Sequence, residues 1–338
     1  MLRPATYTFK RSLGTYSLPV NKTLEILKAT NANFEGLFSH DALNQLWFKQ
    51  GASITSNLNQ HLTQAHEFKD KELTLAELIH ATSNKPDLVH VQKNAAKLHN
   101  LIAFFENLRP LTGPHDISKP GPESLLSTPS DKFTNVPTDE NLVDWISHSF
   151  GSMQEFRNLV INTAHAIKGD GTVWLVAEST VSQTHLNRSS AVSSSPTYHN
   201  LALIATYNHG VVDDSERSGQ ISRMKNLFDE GDVTREGEGK DEGEGNGEEE
   251  GKQSAKKTPP PPPPVDLKLG TAEQAELDHA YVNKKLIPAL AIDASPRNYL
   301  IDYGVYGKQQ YLDNCWECID WDVVSRRLPP RTKQAFIV

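Results

Sequence analysis

From about residue 34 to residue 108, apolar side chains recur three and four positions apart, the spacing that gathers them on one face of a helix. Asp41-Ala-Leu-Asn-Gln-Leu-Trp-Phe opens one long helix, with Ser39 placed to cap it. A second helix runs from Val89 to Leu108, rich in Ala, Leu and Phe, before Pro110, Pro114, Pro120 and Pro122 break the chain into loop. Helical spacing returns from Asn141 to Lys168, interrupted near Phe150-Gly151-Ser152. After Gly169-Asp170-Gly171 the period changes. Thr172 to Glu178 (TVWLVAE) and Leu201 to Tyr207 (LALIATY) are short, apolar and rich in β-branched or aromatic residues, which predicts strands. Ile287 to Asp293 reads as a third strand, and a helical remainder through Tyr311 to Arg327 stops before Pro329-Pro330. Helices followed by helices with a small sheet make an α+β protein. The expected parts are an N-terminal helical hairpin, residues 34–110, and a C-terminal α/β domain with a small sheet, residues 140–328.

Residues 213–264 break this pattern. A Gly/Glu run is followed by six consecutive prolines, Pro259 to Pro264. Such a segment buries too little apolar surface to offset the entropy of ordering it and is expected to stay disordered, an insertion in the α/β domain. Its prolines form a polyproline II rod of the kind that SH3- or WW-like grooves bind. The formal net charge is −8, but residues 229–257 alone hold 11 acidic and 5 basic side chains, so the remainder is close to neutral. Overall acidity therefore does not exclude contact with RNA, which depends on where basic residues cluster. Residues 1–22 carry Arg3, Lys10, Arg11 and Lys22 with several Ser and Thr and no acid, the composition of a mitochondrial presequence. No apolar run is long enough to read as a membrane span.

Candidate chemistry is sparse. The two cysteines form one CxxC, Cys315 and Cys318, inside NCWECIDW. A zinc site needs further ligands nearby, and a redox pair usually opens a helix after a strand. Among Trp316, Ile319 and Trp321 the pair reads instead as two small buried hydrophobes. The 13 histidines show no HxxxH or HExxH spacing, and no Walker loop or GxSxG occurs. Near the C-terminus Arg326, Arg327, Arg331 and Lys333 are candidates for contact with RNA phosphates, with a solvated tail as the plainer reading.

Five blocks, in order, resemble the iron/manganese superoxide dismutase family. FGSMQEFRNLVINTAHAIKGDGTVWLVAE looks like its FGS-x-x-x-F-K segment leading into G-S-G-W-x-W-L. IPALAIDASPRNYLIDY is similar to the segment carrying D-V-W-E-H-A-Y-Y, and YLDNCWECIDWDVVSRRL to the terminal YL-x-x-x-W-x-x-x-N-W helix. FEGLFSHDALNQLWFKQGASITSNLN and NAAKLHNLIAFFENL resemble the two helices of the hairpin. The resemblance implies an antiparallel sheet and a redox metal held by three His and one Asp. Carried over position by position, the two helix histidines fall on Leu46 and Leu101, the Asp survives as Asp293, and the last His falls on Arg297. The supporting residues change as well: Lys97 stands for a Gln, Ile54 for a gateway Tyr, Thr172 for a Trp, and Pro296 for the Glu that crosses the dimer interface.

Two leucines cannot bind a metal, and a guanidinium beside the site would repel one, so the expectation is no metal, no cofactor and no enzyme activity. Asp293 is expected to pair with Arg297 instead. A dismutase scaffold with an erased metal site behind a mitochondrial presequence resembles the superoxide-dismutase-like proteins of the fungal mitochondrial ribosome small subunit. That resemblance implies a structural role in the mitochondrial matrix. The implied partners are small-subunit ribosomal proteins and rRNA, with a heterodimer formed with a related superoxide-dismutase-like chain and no membrane contact. The alternatives are a divergent metal-dependent dismutase and a non-ribosomal mitochondrial interaction protein that docks through its polyproline run.

Overall fold

The computed structural model describes residues 15–68, 72–83, 85–113, 117–126, 132–180, 197–212 and 286–332. The insertion expected at 213–264, and Lys333, lie outside the described residues. By its internal contacts the chain divides into Met1–Glu216 with Asn283–Val338, which holds all described residues, and Arg217–Val282.

The described residues begin within the acid-free N-terminal stretch. Tyr16 is buried, its backbone amide donates to Asn59 Oδ1 (2.8 Å), and its hydroxyl donates to the Leu73 carbonyl (2.8 Å). Helix α1, Lys22–Thr30, follows at once, capped by Asn21. Residues 1–14 lie outside the described residues.

The expected long helix is present but is not one regular α-helix. Ser39 caps α2, His40–Leu43, through Ala42 N–H as the sequence predicts. A π-helical segment, Asn44–Lys49, then joins α2 to α3, Gln50–Gln64, with Gln50 N–H reaching back to Gln45 O. The wider turn brings both Leu46 and Trp47 into the core, and no periodicity in the sequence announces it. Helix α4, Leu75–Thr82, is a separate element set by a capping box in which Thr74 and Glu77 satisfy each other's backbone amides. Helix α5, Val89–Glu106, packs along α3 and α4 and completes the hairpin.

Helices α6, Glu140–Phe150, and α7, Met153–Ala166, break at Gly151 with its positive φ, where the sequence places the interruption. Three antiparallel strands follow: β1 (Gly171–Thr180), β2 (Thr197–Tyr207) and β3 (Leu286–Asp293), in the order β2-β1-β3. In the central strand Val173 to Ala177 are apolar without interruption because both faces are covered there. Val173, Leu175 and Ala177 enter the main core, while Trp174 and Val176 pack with Ala291 and Val212 on the other side. This is the expected α+β arrangement, a helical hairpin joined to an α/β part with a small antiparallel sheet.

A one-turn helix, α8, Pro296–Tyr299, leads to α9, Lys308–Glu317, and α10, Trp321–Arg327. The helical remainder expected from Tyr311 to Arg327 is thus split at Cys318 to Asp320, where the chain bridges back to the end of α5. Leu108 pairs with Ile319, Arg109 N–H donates to Cys318 O (2.8 Å), and Asp320 N–H to Asn107 O (2.7 Å). No described helix is long and apolar enough to cross a membrane.

Tyr16→Ala removes a buried ring and its hydroxyl bond to the Leu73 carbonyl before α4, while the backbone bonds to Asn59 on α3 remain. It should cost about 3 kcal/mol of unfolding free energy, measured by denaturant titration.

Candidate functional site

The residues that the sequence places at ligand positions lie in four elements: Leu46 in the π-helical segment, Leu101 in α5, Asp293 at the end of β3 and Arg297 in α8. Leu46 and Leu101 are buried members of the main core, as are Ile292 and Ala294 on either side of Asp293. Asp293 is itself 1% exposed. Its Oδ1 accepts the backbone amide of Ser295 (3.0 Å) and, at short range, the Ser295 hydroxyl, while Oδ2 accepts Arg297 Nη2 (2.6 Å). The expected Asp293–Arg297 pair is therefore present, but not along one helix. It spans the turn from strand to α8, where Pro296 occupies the first helical position and its missing N–H costs nothing.

The guanidinium serves a second carboxylate. Arg297 Nη1 donates to Asp170 Oδ1 (3.1 Å), on the turn between α7 and β1, and the other oxygen of Asp170 faces His209 Nε2 at 3.6 Å. Burial works against the charge of Arg297, but Asp293 and Asp170 outweigh it and hold its pKa above the ordinary value. His209 follows β2 in left-handed backbone, φ 64°; burial first, then the Arg297 charge, hold its pKa below the ordinary histidine value. Lys97 on α5 is a further positive neighbour of that imidazole. Thr172 stands opposite Asp293 in the β1–β3 register and is buried, as is Ile54 on α3. Asp170 and His209 escape a sequence reading, because Asp170 and Arg297 are 127 positions apart and no spacing connects them.

This arrangement does not fit a metal. The carboxylate oxygens of Asp293 are engaged by Ser295 and Arg297, the helix positions offer only hydrocarbon, and a guanidinium lies where a cation would have to approach. Among the described residues no group of three or more His, Cys, Asp or Glu is placed to hold a metal ion.

Residues 137–212 and 265–327 match the family described as iron/manganese superoxide dismutases, C-terminal domain. The C-terminal part of this chain is superoxide-dismutase-like. A relative, "Superoxide dismutase [Fe] 3, chloroplastic" of Arabidopsis thaliana, is 30% identical over 145 residues, which is 42% of this chain and 45% of that protein. The chain thus spans under half the length of this curated relative. The matched residues include Asp293 and Arg297; the placement of Leu46 and Leu101 rests on the resemblance of the N-terminal helices.

The other candidate groups are occupied within the superoxide-dismutase-like fold. Cys315 and Cys318 are free and buried; burial pushes the Cys315 thiol well up and the Cys318 thiol to about 12, so neither is a nucleophile near neutral pH. Of the described residues in the C-terminal basic run, Arg327 and Arg331 are engaged within the fold. Arg327 pairs with Glu106 (2.7 Å) and with Asn107, and Arg331 pairs with Asp144 (2.6 Å). Arg326 turns back to the Asp322 carbonyl of its own helix. The fold uses two of these four side chains to fasten α10 and the tail, a use that linear charge clustering cannot reveal.

Two measurements follow from these groups. A thiol reagent such as Ellman's should label neither cysteine in the native protein and both after denaturation. His209 supports a pH prediction. Because its folded pKa is depressed, its contribution is fully present above the ordinary histidine value and is lost as pH falls from there toward the folded pKa. His209→Asn tolerates the left-handed backbone and removes the titration. It should make the fall in denaturant midpoint between about pH 7.5 and about pH 5.5 shallower than in the parent. His165, depressed mainly by burial, retains part of the slope.

Proposed function

We propose that this chain is a non-catalytic, superoxide-dismutase-like scaffold in the small subunit of the mitochondrial ribosome, paired there with a related chain of the same fold. The observation that carries the reading is the Arg297 guanidinium on Asp293, at the sheet end where this fold family keeps its metal. With hydrocarbon at Leu46 and Leu101, the described residues offer no donor set for a redox ion, and dismutation requires one that cycles between two oxidation states. The packed body persists around that lost site, as expected of a protein retained for its surfaces. The acid-free N-terminal composition supports delivery to the mitochondrial matrix. The Arabidopsis relative is named as chloroplastic, and so belongs to another organelle.

The pairing follows from Pro296. A two-fold interface uses the same patch twice, so the loss of a reciprocal Glu is felt at both copies of an identical pair, and a related partner with a complementary surface relieves it. With Arg327 and Arg331 committed internally, protein contacts rather than the C-terminal arginines carry most of the proposed attachment.

The test is to tag the chain in its host, isolate mitochondria and follow it through a sucrose gradient. It should travel with the small ribosomal subunit, contain no stoichiometric iron or manganese, and show no dismutase activity above buffer. A free homodimer outside ribosomal fractions would remove the ribosomal role, and near-stoichiometric metal with activity would restore the enzyme.

A further inference from the structure

A buried carboxylate at the end of a strand needs more than neutral donors. The Ser295 amide and hydroxyl satisfy the hydrogen-bonding capacity of one Asp293 oxygen but leave the charge of a side chain that is 1% exposed uncompensated. Its described neighbours along the chain and across the register carry no charge: Ile292 and Ala294 flank it, and Thr172 stands opposite. The Tyr311 hydroxyl (2.7 Å) and Asn298 Nδ2 (3.2 Å) both spend their protons on the Asp293 backbone carbonyl, not on its carboxylate. Among the described residues, Arg297 alone makes an ion pair with it, Nη2 on Oδ2 at 2.6 Å.

We propose that Arg297 is a resident cation that replaces a metal ion in this fold, supplying from within the chain the positive charge on which Asp293 depends. A planar fork suits this task better than an ammonium. One terminal nitrogen takes Asp293 at 2.6 Å and the other takes Asp170 at 3.1 Å, so one group ties the strand end to the α7–β1 turn. The second carboxylate matters for the charge balance, since the guanidinium is only a quarter exposed and is held between two acids. The same end of the sheet is closed by backbone bonds from Ala294 N–H to Gly171 O (2.9 Å) and from Gly171 N–H to the Ser295 hydroxyl (3.2 Å). The bridge therefore locks a junction already drawn together. Its consequence is a fold whose stability does not depend on metal supply, whether or not the chain resides in a ribosome.

The experiment uses the full chain as Arg297→Met, Asp293→Asn and the double variant, each melted alone, with EDTA, and with added manganese(II). Arg297→Met should lower the melting temperature by about 5 °C or more, since it leaves the buried carboxylate without its counter-charge. The double variant, which removes the orphaned charge as well, should regain at least half of that loss. If Arg297→Met is insoluble, a soluble double variant supports the assignment and an insoluble one overturns it. The parent should melt at the same temperature with chelator or manganese. The proposal fails if Arg297→Met melts like the parent, if the double variant recovers nothing, or if EDTA lowers or manganese raises the melting point of the parent. None of these outcomes depends on ribosomal association, so they separate this assignment from the proposed function.

Discussion

A carboxylate buried at the end of β3 sets the terms for much of the surrounding structure. Transfer of a lone charge out of water is among the costliest steps in folding, and it is tolerated only where a counter-charge and hydrogen bonds meet it in good geometry. Asp293 meets those terms with Ser295 on one oxygen and Arg297 on the other. The elements that hold these partners are thereby fixed. The α7–β1 turn comes in through Asp170, the turn after β2 through His209, and α9 through the Tyr311 hydroxyl on the Asp293 carbonyl. Tyr311 extends the constraint into the aromatic core, since its ring packs against Phe38, Tyr299 and Tyr303.

A second junction ties the helical hairpin to the sheet. Asn107, fully buried at the end of α5, donates to Ala291 O in β3, receives Asp320 N–H on its own carbonyl, and accepts Arg327 on its side-chain oxygen. Every polar group of that side chain and of its carbonyl is thus used between elements far apart in sequence, as the burial of an amide requires. Arg327 pairs in turn with Glu106, whose pKa is raised by burial despite that arginine. The hairpin and the α/β part consequently share one core, and a basic residue that looks available in the linear sequence is a fastener.

These two junctions bear on function in opposite ways. The first sets an arginine on the buried carboxylate at the end of β3; the second holds the helical hairpin and the sheet in one core through an amide and an arginine. A protein with both properties suits a role based on surfaces and assembly, which is the sense of the proposed ribosomal function. Similarity to the C-terminal domain of iron/manganese superoxide dismutases describes the scaffold, and a scaffold alone does not fix an activity.

Much of the architecture was legible in the sequence because it rests on local rules. Ser39 as a cap, the break at Phe150-Gly151-Ser152, the three strands and the buried cysteines all follow from periodicity, turn chemistry and burial preference. The Asp293–Arg297 pair was legible too, since four positions separate its members. The π-helical turn that buries both Leu46 and Trp47 was not, because the extra residue in a turn answers to packing by neighbouring elements rather than to any propensity of Asn44 to Lys49. Nor was the second carboxylate on Arg297 or the histidine beyond it, as Asp170, His209 and Arg297 meet only when strand pairing brings three connections to one end of the sheet. The roles of Arg327 and Arg331 belong to the same class. The sequence determined the elements and the residue types at the positions that the resemblance assigns to ligands; tertiary structure decided which charges face each other, because a charge–charge distance across the fold is a property of packing and not of spacing along the chain.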